Sequence, residues 1–195
     1  MSALDRALLA VADVLREDER SWALVGALAV SARTEPRFTR DIDVAVAVSD
    51  DRDAEAVVRR FVDRGYAVFT VVEQDATKRL ATARLTGLTQ AGEAPVIVDL
   101  LFASSGIEPE VARQSERIEV LPGVDIPVAQ VGHLLALKVL SRSSERPQDA
   151  ADLEALLKVL DGPERARARD AARLIVSRGF ARGKDLVAEV AELLR

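Results

Sequence analysis

Two aspartates, Asp41 and Asp43, stand one residue apart at the start of the apolar, β-branched run DIDVAVAV. Such a run predicts a buried strand over Asp41 to Val48. Strand side chains alternate between faces, so both aspartates point the same way while Ile42 and Val44 point into the core. Two carboxylates on one face of an apolar strand are costly unless a cation compensates them, and Mg²⁺ binds carboxylates together with substrate phosphates. The pattern predicts a divalent-metal site, with two ordinary acids at a solvent-facing strand end as the alternative.

A third carboxylate, Asp99, lies in the segment Pro95 to Phe102, where every neighbour is apolar. An unpaired ionised carboxylate in such a strand is expensive. If this strand lies beside the Asp41–Val48 strand, the carboxylates of Asp41, Asp43 and Asp99 converge within about 3–6 Å of one point, as a shared metal would require. The alternative is a salt bridge from Asp99 to an arginine such as Arg84 on a neighbouring strand. We favour the shared metal site.

A glycine turn precedes the aspartate pair. Trp22 to Val25 is a short apolar run, ended by Gly26 and followed by the alanine-rich stretch Ala27 to Arg33. Backbone N–H groups at a strand–glycine–helix junction can bind phosphate, and glycine permits a close approach. The pattern predicts a phosphate site at Gly26, with an ordinary turn after a strand as the alternative.

Charged residues also fall on the predicted helices of the second half. Lys138 lies on the apolar stripe of its helix, one turn after Leu134 and Leu135. Lysines on such stripes often extend to the protein edge, and the functional alternative is contact with a triphosphate across a cleft. Asp149 and Asp152 lie three residues apart on the next helix, so they share a side and could orient Lys138 or bind the nucleotide.

The composition limits the classes of protein. Hydrophobic residues make up 49% and charged residues 30% of 195 residues, which is typical of a globular protein. The absence of cysteine excludes disulfides and thiolate chemistry. The N-terminus has no basic region before its apolar residues and no apolar run reaches eighteen residues, so we expect neither a signal peptide nor a membrane span, and a cytoplasmic location. The net charge of −5 does not favour a general nucleic-acid binder.

Hydrophobic periodicity predicts a mixed sheet with a few helices over residues 1–115 and a mainly helical domain over residues 116–195, an α/β (α+β) fold. The predicted strands are Trp22–Val25, Asp41–Val48, Tyr66–Val72, Leu80–Thr86, Val96–Phe102 and a pair between Ile118 and Val128. The predicted helices are Leu4–Arg16, Ala27–Arg33, Asp53–Asp63, Pro109–Gln114, Gln130–Arg142, Gln148–Leu160, Glu164–Ser177 and Asp185–Leu194.

These motifs resemble those of polymerase-β-type nucleotidyltransferases, which carry a Gly-Gly or Gly-Ser turn, an Asp-x-Asp on a strand and a third carboxylate on a later strand. The strings GALAVSAR from Gly26 and TRDID from Thr39 are more specifically similar to the AbiEii/AbiGii toxin family, which includes the MenT-type toxins. Lys138 and the string QDAADL from Gln148 resemble its later motif. Ala27 departs from the pattern, because a phosphate-binding serine is expected there, and Ser31 is the candidate to replace it.

The resemblance implies a polymerase-β-like sheet followed by a helical bundle, and transfer of a nucleoside monophosphate from an NTP to an acceptor. It implies Mg²⁺, or Mn²⁺ in its place, on Asp41, Asp43 and Asp99, and an attack in which a second ion or Asp99 activates the acceptor hydroxyl. The implied catalytic residues are Asp41, Asp43, Asp99, Lys138 and Asp152. The implied nucleotide-binding residues are Gly26, Ala27, Ser31, Arg33, Thr39, Lys138, Asp149 and Asp152.

The acceptor stays open at this stage. The family's toxins often modify tRNA and pair with an antitoxin, and a basic segment from Pro163 to Lys184 mildly favours RNA. Its candidate RNA-binding residues are Arg165, Arg169 and Arg173. A small acceptor such as an aminoglycoside, or a protein hydroxyl, is the first alternative. A binding module without turnover is the second, and the complete set of carboxylates argues against it.

Overall fold

A computed structural model of the chain describes residues 1–37, 39–75, 77–87, 94–143 and 147–195, without the side chain of Pro147. Its seven strands are β1 (Trp22–Val25), β2 (Asp41–Val46), β3 (Ala67–Glu73), β4 (Leu80–Thr86), β5 (Ile97–Leu101), β6 (Glu116–Leu121) and β7 (Val124–Val128). Its eight helices are α1 (Ala3–Glu17), α2 (Gly26–Arg33), α3 (Asp51–Asp63), α4 (Glu108–Arg113), α5 (Val131–Ser141), α6 (Pro147–Val159), α7 (Gly162–Ser177) and α8 (Leu186–Leu193).

The described strands form one mixed sheet in the order β3-β4-β5-β2-β1-β7-β6. The central strand β2 runs antiparallel to β1 and parallel to β5. Helices α2 and α4 pack on β1 and β2, and α5 in turn packs on α2, α6 and α7. The predicted mixed sheet followed by helices is therefore confirmed.

Local sequence explains where several helices begin. Ser2 accepts a hydrogen bond from the Asp5 backbone while Asp5 accepts one from the Ser2 backbone, a capping box that starts α1. Asp50 and Asp161 accept backbone hydrogen bonds at the starts of α3 and α7. Predicted and observed element ends differ by at most two residues.

The placement of β6 and β7 matters for the division of the chain. Strand β7 joins the sheet beside β1 with Leu24 opposite Val128, and β6 pairs with β7. The purely helical part therefore begins at Val131, at α5. The predicted boundary between residues 115 and 116 stays a prediction.

One edge of the sheet is unusually open. All seven residues of the edge strand β3 are exposed, and Phe69 retains 69% of its accessible surface. Across the described ranges, no helix is both long and apolar enough to cross a membrane.

Candidate active site

Gly26 sits where β1 ends and α2 begins, and its φ of +62° is a left-handed conformation that favours glycine. A Cβ at this position would lie 2.0 Å from Oδ2 of Asp43. The N-cap residue of α2, Val25, makes no side-chain capping bond. The first amides of α2 are therefore available to an anion beside the Asp43 carboxylate.

The strand registers bring Asp43 and Asp99 side by side. Asp43 is the partner of Val25 on β1 and of Asp99 on β5, so both carboxylates lie on one face of adjacent strands. Asp41, on the same face of β2, is exposed, Asp43 is half-buried and Asp99 is buried. Ile42 and Val44 are fully buried, as the strand alternation predicts.

Asp43 has an unusual electrostatic setting. Burial raises the pKa of its carboxyl to about 7, and the negative charges of Asp99 and Asp41 act in the same direction. Lys138 and Arg84 partly offset this rise in the pKa. A carboxylate destabilised by its surroundings and by like charges is the kind of group that a bound cation stabilises.

Asp99 has a partner that the sequence analysis treated as the alternative to a metal. Arg84, its register partner on β4, donates to Oδ1 of Asp99 from Nε at 2.8 Å and to Oδ2 from Nη2 at 2.7 Å. This pair raises the pKa of the Arg84 guanidinium. Among the described residues, no group of three or more carboxylates or imidazoles stands close enough to hold a metal as it is. Arg84 occupies both Asp99 oxygens, so the shared metal site of Asp41, Asp43 and Asp99 stays a prediction.

The residues nevertheless fit a divalent cation held by Asp43 and Asp41. Both are oxygen donors on one face of β2, Asp43 lies against a glycine without a side chain, and its carboxylate is destabilised without a cation. Asp99 would bind the same cation only if Arg84 released one of the two Asp99 oxygens.

Lys138 reaches two buried aspartates of α6. Its Nζ lies 3.2 Å from Oδ1 of Asp149 and 2.8 Å from Oδ2 of Asp152. Arg37, in the loop before β2, grips Asp152 through Nε–Oδ1 at 2.6 Å and Nη2–Oδ2 at 2.8 Å. Burial would raise the pKa of Asp152, but these hydrogen bonds from Arg37 and Lys138 outweigh it and hold the pKa below its usual value. The Asp149 Oδ2 atom is buried and accepts no hydrogen bond from the described residues.

A cavity of about 240 Å³ joins these groups. It is lined on the sheet side by Gly26, Ala27 and Asp43, and on the helical side by Lys138 and Asp149. Arg182 also lines it, with Nη2 donating to the backbone oxygen of Ser104 at 2.8 Å. We call this space the Gly26 cavity.

A second cavity of about 280 Å³ opens over β3 and β4. It is lined by Thr70, Val72, Thr82, Arg84 and Asp99, and it shares Asp43 and Leu101 with the Gly26 cavity. We call it the Arg84 cavity. Asp43 thus lines two spaces with different neighbouring residues.

Several predicted residues are not brought to either cavity. Arg33 donates to the backbone oxygens of Val128 and Ala129 at 3.1 and 3.0 Å and pairs with Glu116 at 2.7 Å. The α-helix rises about 1.5 Å per residue, so Arg33 lies roughly 10 Å along α2 from Gly26. Ser31 Oγ instead accepts from the Arg37 backbone at 3.3 Å, and Thr39 lies in the loop before β2.

The three arginines proposed for RNA also lie away from both cavities. Arg165 donates to the Leu194 backbone oxygen at 3.3 Å, and Arg173 pairs with Asp170 at 3.0 Å on the same helix. Arg169 is half-buried on α7. Arg37, Arg84 and Arg182 were not among the predicted site residues, because single arginines in loops and strands carry no motif.

Solved structures that share the fold of this chain include an adenylyltransferase and a nucleotidyltransferase-like protein. The solution structure of the antibiotic-resistance factor ANT(2'')-Ia aligns with a TM-score of 0.56, 16% identity, and coverage of 91% of this chain and 94% of that one. The lincosamide antibiotic adenylyltransferase LnuA, solved with lincomycin, aligns with a TM-score of 0.51 and 15% identity. The alignment covers 79% of this chain and 96% of that one. A nucleotidyltransferase-like protein from Paracoccidioides brasiliensis aligns with a TM-score of 0.52 and 15% identity, and the alignment covers 95% of this chain and 88% of that one. Identities this low establish the fold alone.

No curated protein matches the sequence. The family described as "Nucleotidyl transferase AbiEii toxin, Type IV TA system" matches residues 7–192, nearly the whole chain. The match includes β1, β2, β5 and the helices that carry Lys138 and Asp152. The chain is therefore a nucleotidyltransferase of the AbiEii toxin family.

Proposed function

We propose that the enzyme transfers a nucleoside monophosphate from an NTP to the 3′ end of tRNA in a magnesium-dependent reaction, as the toxin of a toxin–antitoxin pair. The observation that carries this proposal is that Asp43 lines both cavities. A transferase must hold a leaving group on one side of the reacting phosphorus and an acceptor on the other, and Asp43 borders two separate spaces.

The Gly26 cavity suits the triphosphate. The amides at the start of α2, the Lys138 ammonium and the Arg182 guanidinium supply positive charge around it. These groups are fixed by the fold and lie where negative charge shifts as pyrophosphate leaves. Ala27 lines the same space, and Asp152 holds Lys138 in position.

The bond changes follow from that placement. The acceptor hydroxyl oxygen forms a bond to the α-phosphorus, the bond from that phosphorus to the bridging oxygen breaks, and pyrophosphate leaves with the electron pair. Asp99, which lines the Arg84 cavity, takes the hydroxyl proton on the oxygen that Arg84 releases, while its other oxygen keeps Arg84 in position. Asp41 and Asp43 would hold Mg²⁺, or Mn²⁺ in its place, and the ion would supply positive charge that offsets the charge of the phosphates.

Partners and location follow from the family and the substrates. Membership in a toxin–antitoxin family supports an antitoxin partner. NTPs and tRNA are both cytoplasmic, so we place the reaction in the cytoplasm. Membership in an enzyme family favours turnover over a non-catalytic binding module.

The proposal is tested by offering every class of acceptor in parallel. Purified protein is incubated with each α-³²P-labelled NTP and Mg²⁺, and with total RNA, a set of aminoglycosides or a protein extract treated with ribonuclease. The proposal predicts label in the tRNA band only, sensitive to ribonuclease. Label on the aminoglycosides or on protein, with none in RNA, would replace the proposed acceptor and leave nucleotidyl transfer intact.

A further inference from the structure

We propose that the Arg84 cavity is the acceptor subsite, and that Arg84 binds the phosphate next to the acceptor hydroxyl at the end of a nucleic-acid strand. This subsite rests on the proposed function, because it presumes that the acceptor is RNA. It adds the surface on which the RNA terminus lies and the residue that grips it.

The position of the cavity gives the first reason. The Gly26 cavity carries Lys138 and Arg182, whereas neither residue lines the Arg84 cavity. In-line displacement places the attacking oxygen opposite the leaving pyrophosphate. If the pyrophosphate lies toward Gly26 and Lys138, the attacking hydroxyl must come from elsewhere, and the Arg84 cavity is a second space that Asp43 lines.

The state of Arg84 gives the second reason. Its side chain keeps 43% of its accessible surface although it holds the buried Asp99. The pair with Asp99 uses Nε and Nη2, and Nη1 takes no part in it. A guanidinium that is oriented by one carboxylate and presents its other edge outward is suited to a phosphate. Among the described residues that line this cavity, Arg84 carries the positive charge, beside the carboxylates of Asp43 and Asp99.

The shape of the cavity gives the third reason. Its volume of about 280 Å³ is at or below the low end of ligand sites, which run from about 300 to 1,000 Å³. That space suits the terminal unit of a longer molecule. Thr70 and Val72 of the cavity belong to the exposed edge strand β3, so the remainder of a chain can continue over the edge of the sheet.

The test removes the phosphate charge and the arginine separately and together. The probe is a fluorescein-labelled RNA 12-mer ending in CCA with a free 3′ hydroxyl; a second probe has a neutral methylphosphonate at its last linkage. Binding is measured by anisotropy with Mg²⁺ and each α,β-methylene NTP, for the wild type, Arg84→Ala, Arg84→Lys and Arg79→Ala. Arg79, just before β4, pairs with Asp51 away from the cavity and is the matched control.

We expect the neutral linkage to weaken binding to the wild type roughly tenfold, as loss of a charged hydrogen bond does. Arg84→Ala should bind the normal probe about as weakly as the wild type binds the neutral one, and the neutral linkage should not weaken its binding further. Arg84→Lys should lose less affinity for the normal probe. Arg79→Ala should behave like the wild type.

Equal wild-type affinity for the two probes would overturn the subsite, and this comparison needs no variant and holds even if Arg84→Ala fails to fold. Additive losses from the two changes would also overturn it. If the wild type labels and binds RNA but fails this comparison, only the subsite is wrong. If it neither labels nor binds any RNA, the proposed acceptor is wrong and the subsite falls with it.

Discussion

Asp43 and Asp99 are register partners on the parallel strands β2 and β5, and Arg84 from β4 holds both oxygens of Asp99. Because Arg84 pairs with Asp99, Asp43 is the carboxylate of the site whose negative charge is least compensated. Its pKa is raised to about 7. The charges of these carboxylates and of the cations around them determine the stability and activity that we expect of the variants below.

Asp43→Asn should stabilise the metal-free protein at neutral and higher pH. The pKa of Asp43 rises from 3.8 to about 7 in the folded state, so its stabilising contribution is complete below about pH 4 and is lost as the pH rises through about 7. The asparagine avoids that loss. Melting temperatures in EDTA should therefore show a gain over the wild type that grows between pH 4 and 7 and is constant above.

Asp41→Asn is the comparison for that experiment, because Asp41 is exposed on the same strand. It should change the metal-free melting temperature much less. A pH-independent difference between Asp43→Asn and the wild type would show that the Asp43 carboxylate is not destabilised by its surroundings.

Gly26→Ala should remove transfer activity, because the new Cβ would stand 2.0 Å from the Asp43 carboxylate oxygen. Gly123→Ala is a matched control: its φ of +73° is equally unsuited to alanine, but a Cβ there meets nothing within 4 Å. Both variants should lose about 1 kcal/mol of unfolding free energy from backbone strain. Only Gly26→Ala should lose further stability and activity, as denaturation curves and transfer assays would show; equal behaviour of the two would refute a special role for Gly26.

Much of the site could be predicted because its signals are local. The alternation in DIDVAVAV fixes which face carries Asp41 and Asp43, and Asp99 stands out because its neighbours in the sequence are apolar. The grip of Arg37 on Asp152 spans 115 positions of the chain, and it depends on how α6 packs against a loop. Nothing in the sequence near Arg37 indicates that partner.

Arg33 shows that two residues of one short helix can contact different parts of the protein. It lies in the same helix as Gly26, and the sequence predicts that it contacts phosphates. At the last turn of α2 it instead reaches the backbone oxygens of Val128 and Ala129 on the neighbouring β7 segment. The order of strands in the sheet, which places β7 beside β1, decides this contact.

Lys138→Ala should weaken NTP binding by more than roughly tenfold, because a charged contact to phosphate is worth about 1.5–3 kcal/mol. It also leaves the buried Asp149 and Asp152 without their lysine, so the unfolding free energy should fall. Lys138→Arg should not restore binding, because the guanidinium is larger and shaped differently.

Lys184→Ala is the control for that variant. Lys184 donates to the backbone oxygens of Val139 and Arg142 at 3.1 and 2.8 Å, at the end of the same helix α5. It should leave NTP titrations unchanged. If calorimetric titration of NTP gave the same affinity for Lys138→Ala as for the wild type, Lys138 would only neutralise the aspartates of α6.

Asp152→Asn should cost more stability than Asp149→Asn. Asp152 accepts hydrogen bonds from both Arg37 and Lys138, whereas Asp149 accepts from Lys138 alone among the described residues. We expect about 3–5 kcal/mol for breaking the Asp152 cluster and about 1–2 kcal/mol for Asp149. The pKa of Asp152 is depressed, so its contribution is present above its ordinary value of 3.8 and fades as the pH falls through the lower folded value.

Urea denaturation of both variants at pH 7 and pH 3 measures this difference. The excess loss in Asp152→Asn should be present at pH 7 and smaller at pH 3. An equal loss for both variants at pH 7 would mean that Arg37 does not depend on Asp152 for its position.

The most direct measurement follows the two ends of one NTP through the reaction. Protein, Mg²⁺ and total RNA are incubated with NTP labelled at the α-phosphorus or the γ-phosphorus, and pyrophosphate is counted. Nucleotidyl transfer predicts α-label in RNA, one pyrophosphate per label incorporated, no γ-label in RNA, and loss of all transfer in Asp43→Asn that has kept its fold. Incorporation of γ-label, or full α-label transfer by folded Asp43→Asn, would contradict a reaction centred on Asp43.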